Sequence, residues 1–449
     1  MNEILSSRSP WSQSTEYSKA LVSPIDRAIN GEIYVPGSKS YTNRALIIAA
    51  LAKGRSRLKG ILKSDDSYWC IDALKRLGIA VEITEDEVII DGCNGVWPNT
   101  EAELFIGAAG TIARFLPGAL ALSSTGSWTM DGIPQLRQRP LQPLVDALRE
   151  LGAEITYLTE QAGLPLEIKG TGLQGKEIQV PGNVSSQFLS GILLASPYAQ
   201  EPVTVQVVNG LVQPSYIGIT IELMKQFGAQ VEHTEDYQRV TVYPTGYTAQ
   251  ALTLEADAST ACYFLALAAL SGGTMRVKNV GYDSFQPDAR FIDVLEKMGC
   301  ETEKTEHYLQ VKGPLQLKGG FEVDMKPMSD QALTIAALAP FADGPITVKN
   351  VAHIRKHESD RIAVICSALT SLGISVLEQE DGFTVYPGEA HGATLDPHDD
   401  HRNAFVFGLL SLRIPDIEIL DPGCVSKTCP EYFHELQKLG VQVELIAKK

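Results

Sequence analysis

Six copies of one short pattern run through the chain: an amphipathic segment closes on a bulky apolar residue, then glycine, then a strand-like run. The copies are CIDALKRLGIAVE, LVDALRELGAEI, IELMKQFGAQVE, FIDVLEKMGCETE, ICSALTSLGISV and FHELQKLGVQVEL, with glycines at Gly78, Gly152, Gly228, Gly299, Gly373 and Gly440. Successive glycines lie 67 to 76 residues apart, which defines a sixfold internal repeat. A glycine there supplies the positive φ that a helix C-terminus needs, so each copy reads as helix, glycine cap, strand.

A second and more apolar helix precedes each copy: RALIIAALAKG, ARFLPGALALSSTG, QFLSGILLASPYA, ACYFLALAALSGG, ALTIAALAPFADG and RNAFVFGLLSL. Apolar on every face, these helices are expected to be buried. The polar loops before them differ: SKSYTN, GAAGT, NVSS, DAST, MSD and DDH. Helix N-termini bring backbone amides and positive dipole ends to such loops, so the loops together predict a surface that attracts anions.

Length alone allows about three domains of roughly 150 residues, but six repeats divide more naturally into two domains of three. The net charge of −16 argues against nucleic acid or an anionic membrane as partner. Basic residues nevertheless gather in or beside the polar loops: Lys39, Arg44, Arg114, Arg137, Arg139, Arg355, Lys356, Arg361, Arg402 and Lys427. An acidic chain with cations concentrated there points to a small polyanion. The seven cysteines form no C-x-x-C pair and mostly lie in apolar stretches, which reads as reduced core thiols in a cytoplasmic protein. Residues 1–19 are polar and Ser-rich, read as a mobile N-terminal tail without signal-peptide character. No apolar run is long enough to span a bilayer.

The first loop, VPGSKSYTNRAL, places Ser38, Lys39, Ser40, Thr42, Asn43 and Arg44 at a helix start. Hydroxyls, an ammonium and a guanidinium at that position suit a phosphate or carboxylate. A capped helix with a solvated charged face accounts for the same residues. The loop lacks the glycine spacing of a Walker motif, and no G-x-G-x-x-G follows a strand, which excludes a dinucleotide-binding fingerprint.

The segment VPGSKSYTNRALIIAALAKG resembles the signature of the enolpyruvyl transferases, and within them the EPSP synthase family. The likeness continues through GAAGTIARFL, LRQRPLQPLVDALRELGA, GNVSSQFLSGILLASP, LEADASTACYFLA, MSDQALTIAALAPFADG, ESDRIAVI, DDHRNAF and DPGCVSKTCPEYF. It therefore covers nearly the whole chain and touches all six repeats. The resemblance implies an α/β protein with the two-domain inverse α/β fold. Each domain would hold three βαβαββ repeats around buried parallel helices, with the active site in the interdomain cleft. It places residues 37–254 in one domain, and 20–36 with 255–449 in the other.

The implied reaction moves the enolpyruvyl group of phosphoenolpyruvate onto the 5-hydroxyl of shikimate-3-phosphate and releases phosphate, a step of aromatic amino-acid biosynthesis. By motif, Lys39, Gly110, Arg139, Gln187, Arg361, Arg402 and Lys427 would hold phosphoenolpyruvate. Lys39, Ser40, Arg44, Ser185, Ser186, Gln187, Tyr216, Asp330, His353 and His357 would hold shikimate-3-phosphate. Asp330 resembles the base that accepts the hydroxyl proton, Glu358 the acid that protonates the methylene carbon, and Lys39 is the third catalytic position. No cofactor and no metal are implied.

Other readings stand beside these. Taken by itself, Asp330 before an apolar helix reads first as an N-cap. Glu358, Asp360 and Arg361 read as a surface charge ladder, Ser185 and Ser186 as a loop cap, and Arg137 and Arg139 as solvent-facing. His353 and His357, four apart, and His398 and His401, flanking two aspartates, raise a zinc site that the resemblance does not call for. A sister reaction on a UDP-amino sugar uses the same fold, but its family shows Lys-Asn where this chain has Lys39-Ser40. A paralogue acting on a related anionic cyclohexene acid and a non-catalytic anion binder complete the alternatives. Four positions depart from the usual pattern: Ala108 for asparagine, Gln213 for serine, His353 for asparagine, and His357 for lysine, with Lys356 one place earlier. If a positive charge at His357 is needed, affinity for anions falls as the imidazole deprotonates; Glu358 favours the charged form, and Lys356 and Arg361 oppose it.

Overall fold

A computed structural model describes residues 7–449. The chain divides into two compact units, one made of the described residues through Trp11 with Gly37–Glu255, the other of Ser12–Pro36 with Ala256–Lys449. Each has its own apolar core and three four-stranded sheets.

The sheet containing Glu101–Phe105 shows the repeat most plainly. That strand pairs in parallel with Ser127–Asp131, across the buried helix Gly110–Ala121. Leu166–Lys169 and Glu154–Tyr157 then extend the sheet antiparallel. The amphipathic helix Gln142–Glu150 lies between the second and third strands in sequence, giving βαβαββ. In every sheet the first pair of strands is parallel and the rest antiparallel.

Two repeats borrow their first strand. Gly31–Ile33, which precedes the first buried helix, pairs with Thr274–Val277 in the second unit. Ala251–Thr253, which precedes the fourth, pairs with Lys53–Lys59 in the first. This exchange is why the chain passes between units at Pro36–Gly37 and again at Glu255–Ala256. The N-terminal strand Tyr17–Val22 completes the sixth repeat by pairing with Glu418–Leu420 and Val443–Ala447.

The stretch read as a mobile tail is therefore corrected over its described part. Residues 1–6 lie outside the described residues, but 7–19 are hydrogen-bonded into the fold. Ser9 binds Asp65, Gln13 binds Ser426, and the strand starts at Tyr17.

Local chemistry explains the helices. Asp65–Arg76 begins on a Ser64–Ser67 capping box, carries Asp65 and Asp66 in its first turn and Lys75 and Arg76 in its last, and buries Cys70, Ile71, Ala73 and Leu74. It stops at Gly78, and all six repeat glycines hold φ between +83° and +96°. The buried helices pack through small residues. A Cβ on Gly191 would lie 2.1 Å from the Arg114 carbonyl oxygen, so Ser186–Ala195 and Gly110–Ala121 touch where no side chain fits. All seven cysteines are unpaired and six are buried. Among the described residues, no helix is long and apolar enough to cross a membrane.

Candidate active site

In the first unit, Lys39 and Ser40 open the helix Lys39–Leu51, half-buried, with Ser38 as its cap. One turn on, Arg44 is buried and held on three sides. Its Nε donates to Thr220 Oγ1 (2.7 Å), Nη1 to the Ser40 carbonyl (2.9 Å), and Nη2 to Ser190 Oγ (3.3 Å) and the Tyr216 carbonyl (3.4 Å). The Phe115 ring lies beneath at 5.0 Å. Burial lowers the Arg44 pKa to about 10, leaving it a cation at neutral pH. Arg44 thus ties Ser40, at one helix start, to Tyr216, at the start of Ser215–Gln226. Ser190 and Thr220, which complete this knot, were not singled out from sequence; their signal is a hydroxyl inside an apolar helix.

Ser185 caps Ser186–Ala195 by accepting from the Gln187 amide (3.2 Å), so the loop-cap reading holds for it; Ser186 is buried and Gln187 half-buried. The glycine loop runs Gly107–Gly110. Ala108 packs against the apolar core, and the Gly110 amide donates to the Ala108 carbonyl (2.8 Å). Arg139 lies against Gly110 so closely that a Cβ there would sit 2.2 Å from Nη1. Arg137 instead pairs with Asp131. Gln213 adopts φ +50° just before Pro214, the N-cap position of Ser215–Gln226.

In the second unit, the charged residues form one network. Arg361 is buried with 1% of its surface exposed, so the surface-ladder reading fails for it. Its Nη1 binds Asp330 Oδ1, its Nη2 Glu358 Oε2 and its Nε Asp400 Oδ2, each at 2.8 Å. Asp330 reaches a second guanidinium through Oδ2, 2.8 Å from Arg402 Nη2. Arg402 Nη1 donates to Tyr263 Oη at 2.9 Å. Glu358 also approaches Lys427 Nζ, at 3.5 Å. Asp330 sits in the 3₁₀ turn Lys326–Gln331, and the helix Ala332–Leu338 that follows has Gln331, not Asp330, at its N-cap position. Burial depresses the Arg361 pKa, but Asp400, Glu358 and Asp330 together outweigh it and the net shift is upward.

His357 lies inside this network. Arg361 Nη1 donates to its Nδ1 at 3.0 Å, and because a guanidinium only donates, the neutral ring carries its proton on Nε2. Burial, then Arg361, push its pKa down to about 3, against the pull of Asp330 and Glu358. Neighbouring Lys356 is exposed. His353 shares a 2.8 Å hydrogen bond with Ser329 Oγ and is also shifted down by burial. Three further groups escaped the sequence reading: Asp400, Tyr263 and Asp288. Asp288 is a buried carboxyl held by Ser259 and by Gln331 Nε2 (2.8 Å), its pKa raised to about 6 by burial and then by Asp330.

The first unit thus holds a buried guanidinium at a helix start, and the second a set of buried cations bridged by carboxylates, an arrangement suited to small multiply charged anions. The family model described as EPSP synthase (3-phosphoshikimate 1-carboxyvinyltransferase) matches residues 24–436. The chain is 52% identical over 439 residues to 3-phosphoshikimate 1-carboxyvinyltransferase 2 of Halalkalibacterium halodurans, covering 97% of this chain and 98% of that protein. It is 42% identical over 422 residues to 3-phosphoshikimate 1-carboxyvinyltransferase of a Sulfurovum species, covering 92% and 97%. The solved structure of EPSP synthase from Acinetobacter baumannii superposes with a TM-score of 0.81 at 25% identity, covering 95% of this chain and 99% of that one. The chain belongs to the EPSP synthase family.

Proposed function

We propose that this chain transfers the enolpyruvyl group of phosphoenolpyruvate to the 5-hydroxyl of shikimate-3-phosphate, in the cytoplasm and without a metal or cofactor. Family membership supports the reaction. The observation that carries its assignment to residues is the pair Asp330 and Glu358, both bound to Arg361. The hydroxyl oxygen adds to C2 of phosphoenolpyruvate while its proton passes to Asp330. Glu358 delivers a proton to the methylene carbon, giving a tetrahedral adduct. Phosphate then leaves with the proton held by Asp330, and one proton of the new methyl group returns to Glu358, which restores the double bond and both carboxyl groups. Lys39, Gly110, Arg139, Gln187, Arg361, Arg402 and Lys427 receive phosphoenolpyruvate. Ser40, Arg44, Ser185, Ser186, Tyr216, His353 and His357 receive shikimate-3-phosphate, together with Lys39, Gln187 and Asp330. Cations fixed before the reaction stabilise the developing charge without reorganising.

Phosphate release from phosphoenolpyruvate tests the reading. Release is expected only when shikimate-3-phosphate is also present and is expected to persist in EDTA. Release with phosphoenolpyruvate alone, or activity lost to the chelator and restored by zinc or magnesium, rejects it.

His357 serves in this scheme as an uncharged Nε2–H donor. His357→Gln, which keeps a neutral donor, is expected to preserve the shape of the kcat/KM profile between about pH 5 and 8. A fall in affinity through the imidazole range that vanishes in the variant would show a charged histidine instead. The same shift has a stability consequence. The unfolded chain takes up this proton near pH 6.5 and the folded one only near 3, so the contribution of His357 is full above 6.5 and lost as pH falls towards 3.

A further inference from the structure

Residues 7–13 precede the span matched by the family model, which begins at residue 24. In the first unit, Ser9 donates twice to Asp65 Oδ1, from its amide (2.9 Å) and its hydroxyl (2.6 Å), and Arg8 Nη1 lies 3.8 Å from Asp65 Oδ2. Trp69 Nε1 donates to the Ser7 carbonyl at 2.9 Å. Trp11 meets Tyr68 edge-on at 5.5 Å, and Tyr68 meets Trp69 in turn at 5.2 Å. These contacts all fall on the first turns of Asp65–Arg76. Trp69 also abuts the glycine loop. A Cβ on Gly107 would lie 2.4 Å from Trp69 Nε1, as one on Gly110 would lie 2.2 Å from Arg139 Nη1. The loop is thus backed at one end by the indole the arm holds and at the other by Arg139. Two residues further along the chain, in the second unit, the Gln13 amide donates to Ser426 Oγ (2.9 Å), and that hydroxyl donates back to the Gln13 carbonyl (3.0 Å). Ser426 is fully buried and immediately precedes Lys427.

We propose that residues 7–13 form a positioning arm for phosphoenolpyruvate: through Trp69 they fix the Gly107–Gly110 loop, and through Ser426 they fix the turn that carries Lys427. The inference rests on the reading that Gly110, Arg139 and Lys427 receive that substrate. None of the arm residues touches substrate in this scheme. Their effect is on geometry, since holding a loop and a lysine in their bound positions lowers the ordering cost of binding.

The test uses the full chain and steady-state kinetics with each substrate varied. Ser9→Ala/Trp11→Ala and, separately, Trp69→Phe, which keeps a ring but removes the donor to Ser7, are expected to raise KM for phosphoenolpyruvate by about tenfold. The KM for shikimate-3-phosphate and kcat should stay within about twofold of the parent. Ser9→Thr, which retains the hydroxyl, is expected to behave as the parent. Arg139→Met separates the two ideas. If it raises the phosphoenolpyruvate KM while the arm variants leave it unchanged, the arm inference is overturned and the site reading stands. If Arg139→Met has no effect, the site reading falls and the arm inference with it. If the arm variants raise both KM values together and lower the thermal midpoint, the arm is merely structural and the inference is equally overturned.

Discussion

Replacing Arg361 with methionine is expected to lower the stability of the folded chain by about 3–5 kcal/mol, the usual result of removing one partner from a buried charge network. Methionine fills much of the same volume, so the loss is electrostatic rather than a cavity. Three carboxylates depend on this guanidinium, though unequally. Asp330 keeps Arg402 and Glu358 keeps Lys427. Asp400, with none of its side chain exposed, keeps the Ser359 hydroxyl and the Arg402 amide as donors. Arg361→Lys is expected to fall between parent and Arg361→Met, since one ammonium cannot reproduce a planar fork that serves three acceptors. Denaturant midpoints of the three proteins measure this directly. A methionine variant within about 1 kcal/mol of the parent would mean that the network relaxes or fills with water and is not a stabilising element.

What could be read in the sequence follows from how local each signal is. The helix–glycine–strand ending is complete within a dozen residues, so six copies stood out, and all six glycines take the conformation that ending requires. The exchanged strands could not be read this way. Gly31–Ile33 and Ala251–Thr253 have three residues each, too few to show alternation, and the first finds its partner over 240 positions away at Met275–Val277. The start of the N-terminal strand was hidden for a related reason. A polar, Ser-rich beginning resembles a tail, and only pairing with Glu418–Leu420 and Val443–Ala447 makes it a strand.

The candidate site divides along the same line. Motifs at helix starts marked Lys39, Arg44, Arg361 and Arg402, because cations in those loops are unusual in an acidic chain. The carboxylates that engage them were harder to see. Asp330 looks like an N-cap until Arg361 and Arg402, from later in the chain, are found on its two oxygens. Asp400 does act as a cap, accepting from the Arg402 amide at 3.0 Å, yet its other oxygen accepts from Arg361 at 2.8 Å. One aspartate performs both roles, and a capping position in the sequence does not reveal the second. His357 shows the opposite limit. Sequence supplied its charged neighbours, but burial decides its state, and burial is a property of the fold.

Asp330→Asn and Glu358→Gln are each expected to lower kcat by about a hundredfold or more, the usual contribution of a positioned acid or base, with shikimate-3-phosphate binding retained. Both carboxylates are bound to guanidinium groups of the same network. Asp330 shares Arg361 and Arg402 with the proposed phosphoenolpyruvate site, so the positions of the substrate and of the base are set by the same two side chains. The amide replacements keep an oxygen facing the cations, so a large fall in turnover with near-parental binding, read by calorimetry, isolates proton transfer from loss of structure. The double variant should lose less than the product of the single effects, because both residues share Arg361 and act on one adduct. Near-normal turnover in either single variant removes that residue from proton transfer. Turnover and binding that fall together would make the carboxylate a support for Arg361 rather than a participant in the chemistry.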